Sequence, residues 1–386
     1  MARLLTVVSV VGWFMLSHVG AAYAEPYRPT DDTQVLQRLS FKASDPIVRE
    51  IDTLRTKLRG NPDNLESAVK LATHYIEQGR SEGDPRFLGQ AQAILSPWWN
   101  KPTPPLAALL LRATIRQNAH EFDQALADLD QVLAVEPNNA QAWLTKASIL
   151  QVQTRYDEAR RACQRLARLA AAHVLLGCLG DIAGVTGQSV KSRELLRQVL
   201  SDTTLSGRER IWIATILAET AARTGAIREA EESFAEAFKI GIKNQYLLGA
   251  YADFLLDQRR YQDVMSLLQS ETRADGLLLR LALAEQTLKL PIFQNHTAEL
   301  AARFAAGRDR GTTVHVREEA RFTLALQHDA RRALPLAQAN WKVQREPADA
   351  RILLESALAT KNSPAAQPVL DWMTSNHVED FHLRQL

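Results

Sequence analysis

Apolar residues recur along this chain at steps of three and four, the spacing that keeps side chains on one face of a helix. The pattern itself repeats at a longer interval. Phe122-Asp123-Gln124-Ala125 is echoed by Tyr156-Asp157-Glu158-Ala159, and 159 minus 125 is 34. Leu109 aligns in the same way with Trp143, Ala113 with Ala147, Leu129 with Cys163 and Val132 with Leu166. Each unit has room for two helices and a turn, while the period-two alternation of strands is scarce. The prediction is therefore all-α, built from stacked helix pairs that bury surface against their neighbours.

Followed along the chain, the pattern divides 386 residues into segments. Residues 25–44 are polar and carry no helical period, which predicts an extended lead-in. From 45 to 60, Asp45 and Pro46 open a lone amphipathic helix with a stripe of Ile47, Ile51, Leu54 and Leu58. A repeat array is expected over 61–274, with units starting at Leu65, Leu106, Ala140 and near His173, and further units marked by Ala230 and Val264. Insertions at Ser81–Phe87 and Asp202–Gly207 are expected to fall in turns. The spacing slips over 275–313, a degenerate repeat. Phase returns at Glu346-Pro347-Ala348-Asp349-Ala350, which parallels Glu136-Pro137-Asn138-Asn139-Ala140, so 314–386 reads as C-terminal repeats and a cap.

The small residues at positions eight and twenty of each unit, Ala113 with Ala125 and Ala147 with Ala159, resemble those of the tetratricopeptide repeat family. That resemblance extends with decreasing regularity over about Leu65 to Trp372. It departs from the family pattern in lacking Gly at position eight of most units and in the slipped stretch. It implies a right-handed superhelical solenoid whose groove, lined by first helices, binds extended peptides or helices of other proteins. Catalysis is seldom part of such a role.

Composition changes the picture little: hydrophobic residues make up 46% and aromatics 6%, which suits closely packed helices. The first residues change it more. Arg3, the apolar stretch Leu4–Leu16 and Ala22-Tyr23-Ala24 read as a secretory signal over 1–24, with cleavage after Ala24. A periplasmic or secreted protein is expected, without a transmembrane span in the mature chain. Removing Arg3 takes Lys plus Arg from 46 to 45 against 44 acidic residues, so the basic excess that drives nucleic-acid affinity is missing. Cys163 and Cys178 are a candidate disulfide in an oxidising compartment; two buried thiols remain the alternative.

Candidate binding residues follow from the face beside the core stripe. They are Gln117 and Asn118, then Gln141, Ser148 and Gln151, then Asp181, then Glu219 and Arg223, then Tyr246, Asp253 and Asp257. Amides in the early units suit a peptide backbone, and the later carboxylates suit a partner carrying Lys or Arg. An ordinary solvated helix face is the competing reading. Trp98 and Trp99 could form an aromatic patch or pack against the next unit, with Trp99 the more exposed. His315, Arg317, Glu318 and Glu319 cluster near Asn340, Trp341, Arg345 and Glu346.

Enzyme motifs fail on inspection. His315-Val-Arg-Glu-Glu ends in Glu where a zinc motif needs His, there is no Gly-x-Ser-x-Gly elbow, and Gly184-Val-Thr-Gly187 lacks the Lys and length of a phosphate loop. No cofactor or metal is expected. The reading is a non-catalytic scaffold in the cell envelope that holds a protein or peptide partner in its concave groove. An enzyme or substrate-binding component built on dispersed carboxylates such as Asp181, Glu219 and Asp253 is the alternative.

Overall fold

In the computed structural model, the described residues are Asp31, Thr33, 45–311 and 315–386. The segments read as a signal and most of the lead-in lie outside them. Two units are distinguished, 1–49 and 50–386. In the first, Asp31 accepts from the Thr33 backbone and hydroxyl, and Asp45 accepts from the Ile47 amide at 2.9 Å at the start of α1 (Pro46–Gly60).

The second unit is a run of nine helix pairs, with no strand among the described residues. Its first pair is α2 (Leu65–Glu82) with α3 (Arg86–Ile94), followed by a single turn, α4 (Ser96–Trp99). Four regular pairs come next: α5 (Leu106–Asn118) with α6 (Phe122–Val135), α7 (Ala140–Val152) with α8 (Tyr156–Arg165), α9 (Ala172–Val185) with α10 (Ser189–Leu200), and α11 (Gly207–Arg223) with α12 (Ile227–Phe238). Then α13 (Gln245–Asp257) pairs with α14 (Tyr261–Leu268), and α15 (Asp275–Thr287) with α16 (Phe293–Asp309). The last pairs are α17 (Val316–Ala325) with α18 (Ala330–Val343) and α19 (Pro347–Ala359) with α20 (Ser363–Ser375), after which α21 (Phe381–Gln385) closes the chain.

The sequence specifies these boundaries through caps. Asn64, Asn139 and Asn244 each accept from the backbone amide three residues on, at 2.9, 2.9 and 3.0 Å, and Ser206 with Glu209 forms a reciprocal capping box. The turn inside each pair places one residue in the left-handed region. These residues are Gly83, His120, Thr154, Gly187, Gly225, Arg259, Lys289, His328 and Lys361, so nine pairs have nine such turns. Small residues at the helix joints are sealed: Ala113, Ala125 and Ala159 are 0% exposed and Ala147 is 1%. Close approach of the paired backbones is what selects alanine there.

One detail differs from expectation. The insertion 81–87 does not fall wholly in a turn; α2 runs on through Glu82, so part of it is absorbed as an extra helical turn. The stretch read as a degenerate repeat holds an ordinary pair, α15 and α16, whose Leu278, Leu281, Leu300 and Phe304 are buried. Ala282 and Ala284 are sealed there as well, so the slipped small-residue spacing goes with an unbroken helix pair.

The pairs form a right-handed superhelical solenoid whose successive turns touch. Lys243 pairs with Glu82 and Glu271, and Arg273 approaches Glu82 and Asp84. Farther along, the Arg345 amide donates to the Val152 carbonyl at 2.9 Å, Trp372 Nε1 to the Tyr156 hydroxyl at 3.2 Å, and the Ser189 amide to Glu379 at 3.1 Å. Apart from Lys243 with Glu271, which are neighbours along the array, these contacts join residues roughly 160 to 220 positions apart, one superhelical turn. First helices face inward, and these contacts bring the C-terminal pairs against the middle of the array, with two cavities open to solvent between them.

Candidate functional site

Two connected cavities occupy the axis of the superhelix. The larger, about 690 Å³, is lined by Asn118, Gln151, Asp181, Glu219, Arg223 and Tyr246, with Arg317 and Glu346 on the facing wall. The smaller, about 380 Å³, shares Glu219, Arg223 and Asp253 and adds Asp257, Tyr261 and Arg351, with Phe234, Phe254 and Leu283 as its apolar part. Eight of the eleven residues expected to line the groove thus border this interior. Gln117, Gln141 and Ser148 line neither cavity. Gln141 bonds back to Thr145 on its own helix at 3.1 Å, and both Gln141 and Ser148 are exposed; the face chosen for these three was too wide.

The inward position of α9, α11 and α13 carries an acid in each: Asp181, Glu219 and Asp253. The last two are 34 residues apart, so their shared face is a direct product of the repeat. Their circumstances differ sharply. Burial pushes the Asp181 carboxyl up, with Gln151 and Arg223 opposing. Burial also pushes Glu219 up to about 7, against the pull of Arg223 and of the Tyr246 hydroxyl, which donates to it at 2.8 Å. Neither acid has an ion-pair partner among the described residues. Tyr246 is 63% exposed even though it sits inside the superhelix, because the cavity admits water while protein surrounds it on several sides. The protein around the phenol, and then Glu219, raise it well above its ordinary value.

Asp253 and Asp257 are different, and here the sequence reading needs correction. They were expected to await a basic partner. Instead Asp253 pairs with Arg280 at 2.5 Å and with Arg321 at 2.6 Å, and Asp257 pairs with Arg351 at 2.6 Å and His382 at 3.5 Å. Burial pushes Asp253 up, but Arg280 and Arg321 outweigh it and hold the carboxyl well below the usual range. These arginines come from α15, α17 and α19, up to 94 residues away, so no local pattern announces them.

The charged cluster near residue 315 is likewise intramolecular. Arg317 joins Glu346 at 2.9 Å and Asp349 at 3.0 Å, tying α17 to the start of α19. Asp349 is fully enclosed; burial pushes it up to about 6 against the pull of Arg317. Asn340, 5% exposed, donates to Asp349 at 2.6 Å. Trp98 is buried, and half-buried Trp99 is stacked by Arg116 at 5.7 Å while its carbonyl accepts from Arg112. Cys163 and Cys178 are joined as a disulfide, Cα–Cα 5.9 Å, between α8 and α9. Among the described residues there is no group of three or more acids, histidines or cysteines able to hold a metal, and no helix long and apolar enough to cross a membrane.

Residues 118–174, spanning the end of α5 through the start of α9, match the sequence model of the family described as Tetratricopeptide repeat. Among solved structures, the chain is similar to one titled as the APC/C hetero-tetramer Cut9–Hcn1, with 14% identity over 84% of this chain and a TM-score of 0.43. It spans about half, 52%, of that chain. A tetratricopeptide repeat protein from Parabacteroides merdae matches at 14% identity over 80% of this chain and 99% of its own, with a TM-score of 0.32. Yeast Tom70 matches at 12% identity over 88% and 70%, with a TM-score of 0.41. No curated protein matches the sequence.

Proposed function

We propose that this chain, which carries tetratricopeptide units, is an exported, periplasmic scaffold that holds a basic segment of another envelope protein against the inward faces of α9 and α11, with no chemistry of its own. The observation that carries the reading is the unpaired state of Asp181 and Glu219 beside a cavity of about 690 Å³. Two half-buried acids without a cation cost free energy that an incoming Lys or Arg would recover. Gln151 and Asn118, on the same wall, can bond a peptide backbone. The signal-like first residues support export, and the disulfide is the kind of bond that persists in an oxidising compartment.

Crosslinking in the native compartment, followed by identification of the attached chain, tests this. One dominant protein should be captured, and its yield should fall severalfold in a variant carrying Asp181→Asn and Glu219→Gln. Capture that is unchanged by both substitutions would overturn the assignment of the site.

A second reading draws on one fact: an acid held near neutrality beside a phenol and a guanidinium is suited to proton transfer. An activity lost in Asp181→Asn, Glu219→Gln and Asp253→Asn alike, with the fold intact, would favour an enzyme or substrate-binding component instead.

A further inference from the structure

The C-terminal pairs add cations to the α13 face. It carries Asp253 and Asp257 one helical turn apart: Asp253 is held by Arg280 of α15 and, 68 residues on, by Arg321 of α17, and Asp257 by Arg351 of α19, 94 residues on. The apolar part of this smaller cavity, Phe254 and Leu283 among it, is faced by Leu383 of α21, with His382 beside it on Asp257. This end of the chain has its own core, in which Ala337, Leu353, Val369 and Trp372 pack together with Val378 and Leu383. The core that contains Leu255, Val264 and Leu278 is separate from it and runs on only as far as Phe322 and Leu326. Across the superhelical turn the joining hydrogen bonds are Glu379 with the Ser189 amide and hydroxyl, Trp372 with Tyr156, and the Arg345 amide with the Val152 carbonyl, while Arg321 and Arg351 reach their aspartates over shorter separations and α17 keeps an apolar contact through Phe322 and Phe304. A seam of this composition is weakened by salt and by competing cations far more than an apolar joint is.

We infer that α17–α21 act as an internal stand-in for the partner, with Arg321 and Arg351 seated on Asp253 and Asp257 where a basic segment of another protein would place its own side chains. The inference rests on the scaffold reading and adds its regulation: Asp181 and Glu219 are free to engage first, and the α13 face becomes available only as the C-terminal pairs give up their aspartates. The kind of partner this face fits is a peptide with at least two Arg or Lys residues flanking an aliphatic one, the chemistry that Arg351, His382 and Leu383 already present to it.

The test uses the full chain and a fluorescent synthetic peptide of alternating Arg and Leu, titrated at low salt. A variant carrying Arg321→Gln and Arg351→Gln, which leaves the acids untouched, should bind this peptide at least tenfold more tightly than the unsubstituted chain. Adding Asp253→Asn and Asp257→Asn should abolish the gain. Equal binding by the two chains, or a gain that survives loss of both aspartates, would overturn the inference. If the double Arg variant fails to fold, Arg351→Gln alone is titrated, with Asp257→Asn as its control and the same two outcomes. Because the probe is synthetic, gated peptide binding with no native capture would sink the scaffold reading and with it the regulatory role, whereas native capture with ungated peptide binding would sink this inference alone.

Discussion

At the scale of single residues, the inward acid on successive repeats has two fates, and the difference is set by what reaches it. Asp253 and Glu219 occupy equivalent places 34 residues apart, yet one is stabilised as an anion by two arginines and the other is held near neutrality by burial. The consequence for stability has a definite sign. A carboxyl whose folded value is raised binds more protons folded than unfolded, so its contribution weakens as pH rises from its unfolded value toward about 7. Replacing Glu219 with Gln should therefore raise the melting temperature at pH 8, by the equivalent of about 1 to 2 kcal/mol once screening by cavity water is allowed for, and change little at pH 5. Melts at the two pH values check this, and a loss of stability at both would show that Glu219 is instead held ionised by a partner group. The identities of Asp181, Glu219 and Asp253 as inward-facing acids were legible in the sequence because helical period and repeat length fix the face. Which of them is already paired was not legible, since Arg321 and Arg351 lie 68 and 94 residues from their partners and nothing local marks them.

At the scale of the helix pair, the small residues are the clearest part of the design. Ala125 and Ala159 are 0% exposed where two helices cross. Leucine at either place should overpack the joint and cost roughly 1 to 3 kcal/mol, read as a lower midpoint in urea unfolding; no shift at either position would contradict the register. The turns were less legible. Glycine marks only three of the nine left-handed turn positions, Gly83, Gly187 and Gly225, while His120, Thr154, Arg259, Lys289, His328 and Lys361 hold the same conformation at the others. A left-handed residue other than glycine costs about 1 to 2 kcal/mol, which the packing of the two flanking helices offsets, so the turn geometry is imposed from outside the turn. The same reasoning explains α15 and α16. Their buried leucines and Phe304 satisfy the joint without the alanine spacing that sequence comparison looks for.

At the scale of the whole molecule, the superhelix is tight enough for one turn to rest on the next, and its axis is divided into cavities lined by residues of distant repeats. A scan for internal period reports how each pair meets its neighbour; it is silent on contacts between residues 190 or more positions apart, such as Glu379 with Ser189. The pitch that brings them together accumulates from small rotations at every joint. The C-terminal pairs close against the middle of the array. Hydrogen exchange at a single amide tests this closure most directly. The Arg345 amide lies in the connection between α18 and α19 and donates to the Val152 carbonyl across the turn, at 2.9 Å. In a closed superhelix it should exchange as slowly as amides inside the flanking helices, and it should quicken in the variant carrying Arg321→Gln and Arg351→Gln. Exchange of this amide at the rate of an unprotected peptide in the unsubstituted chain would mean that the trough stands open and that the internal pairing described above does not hold in solution.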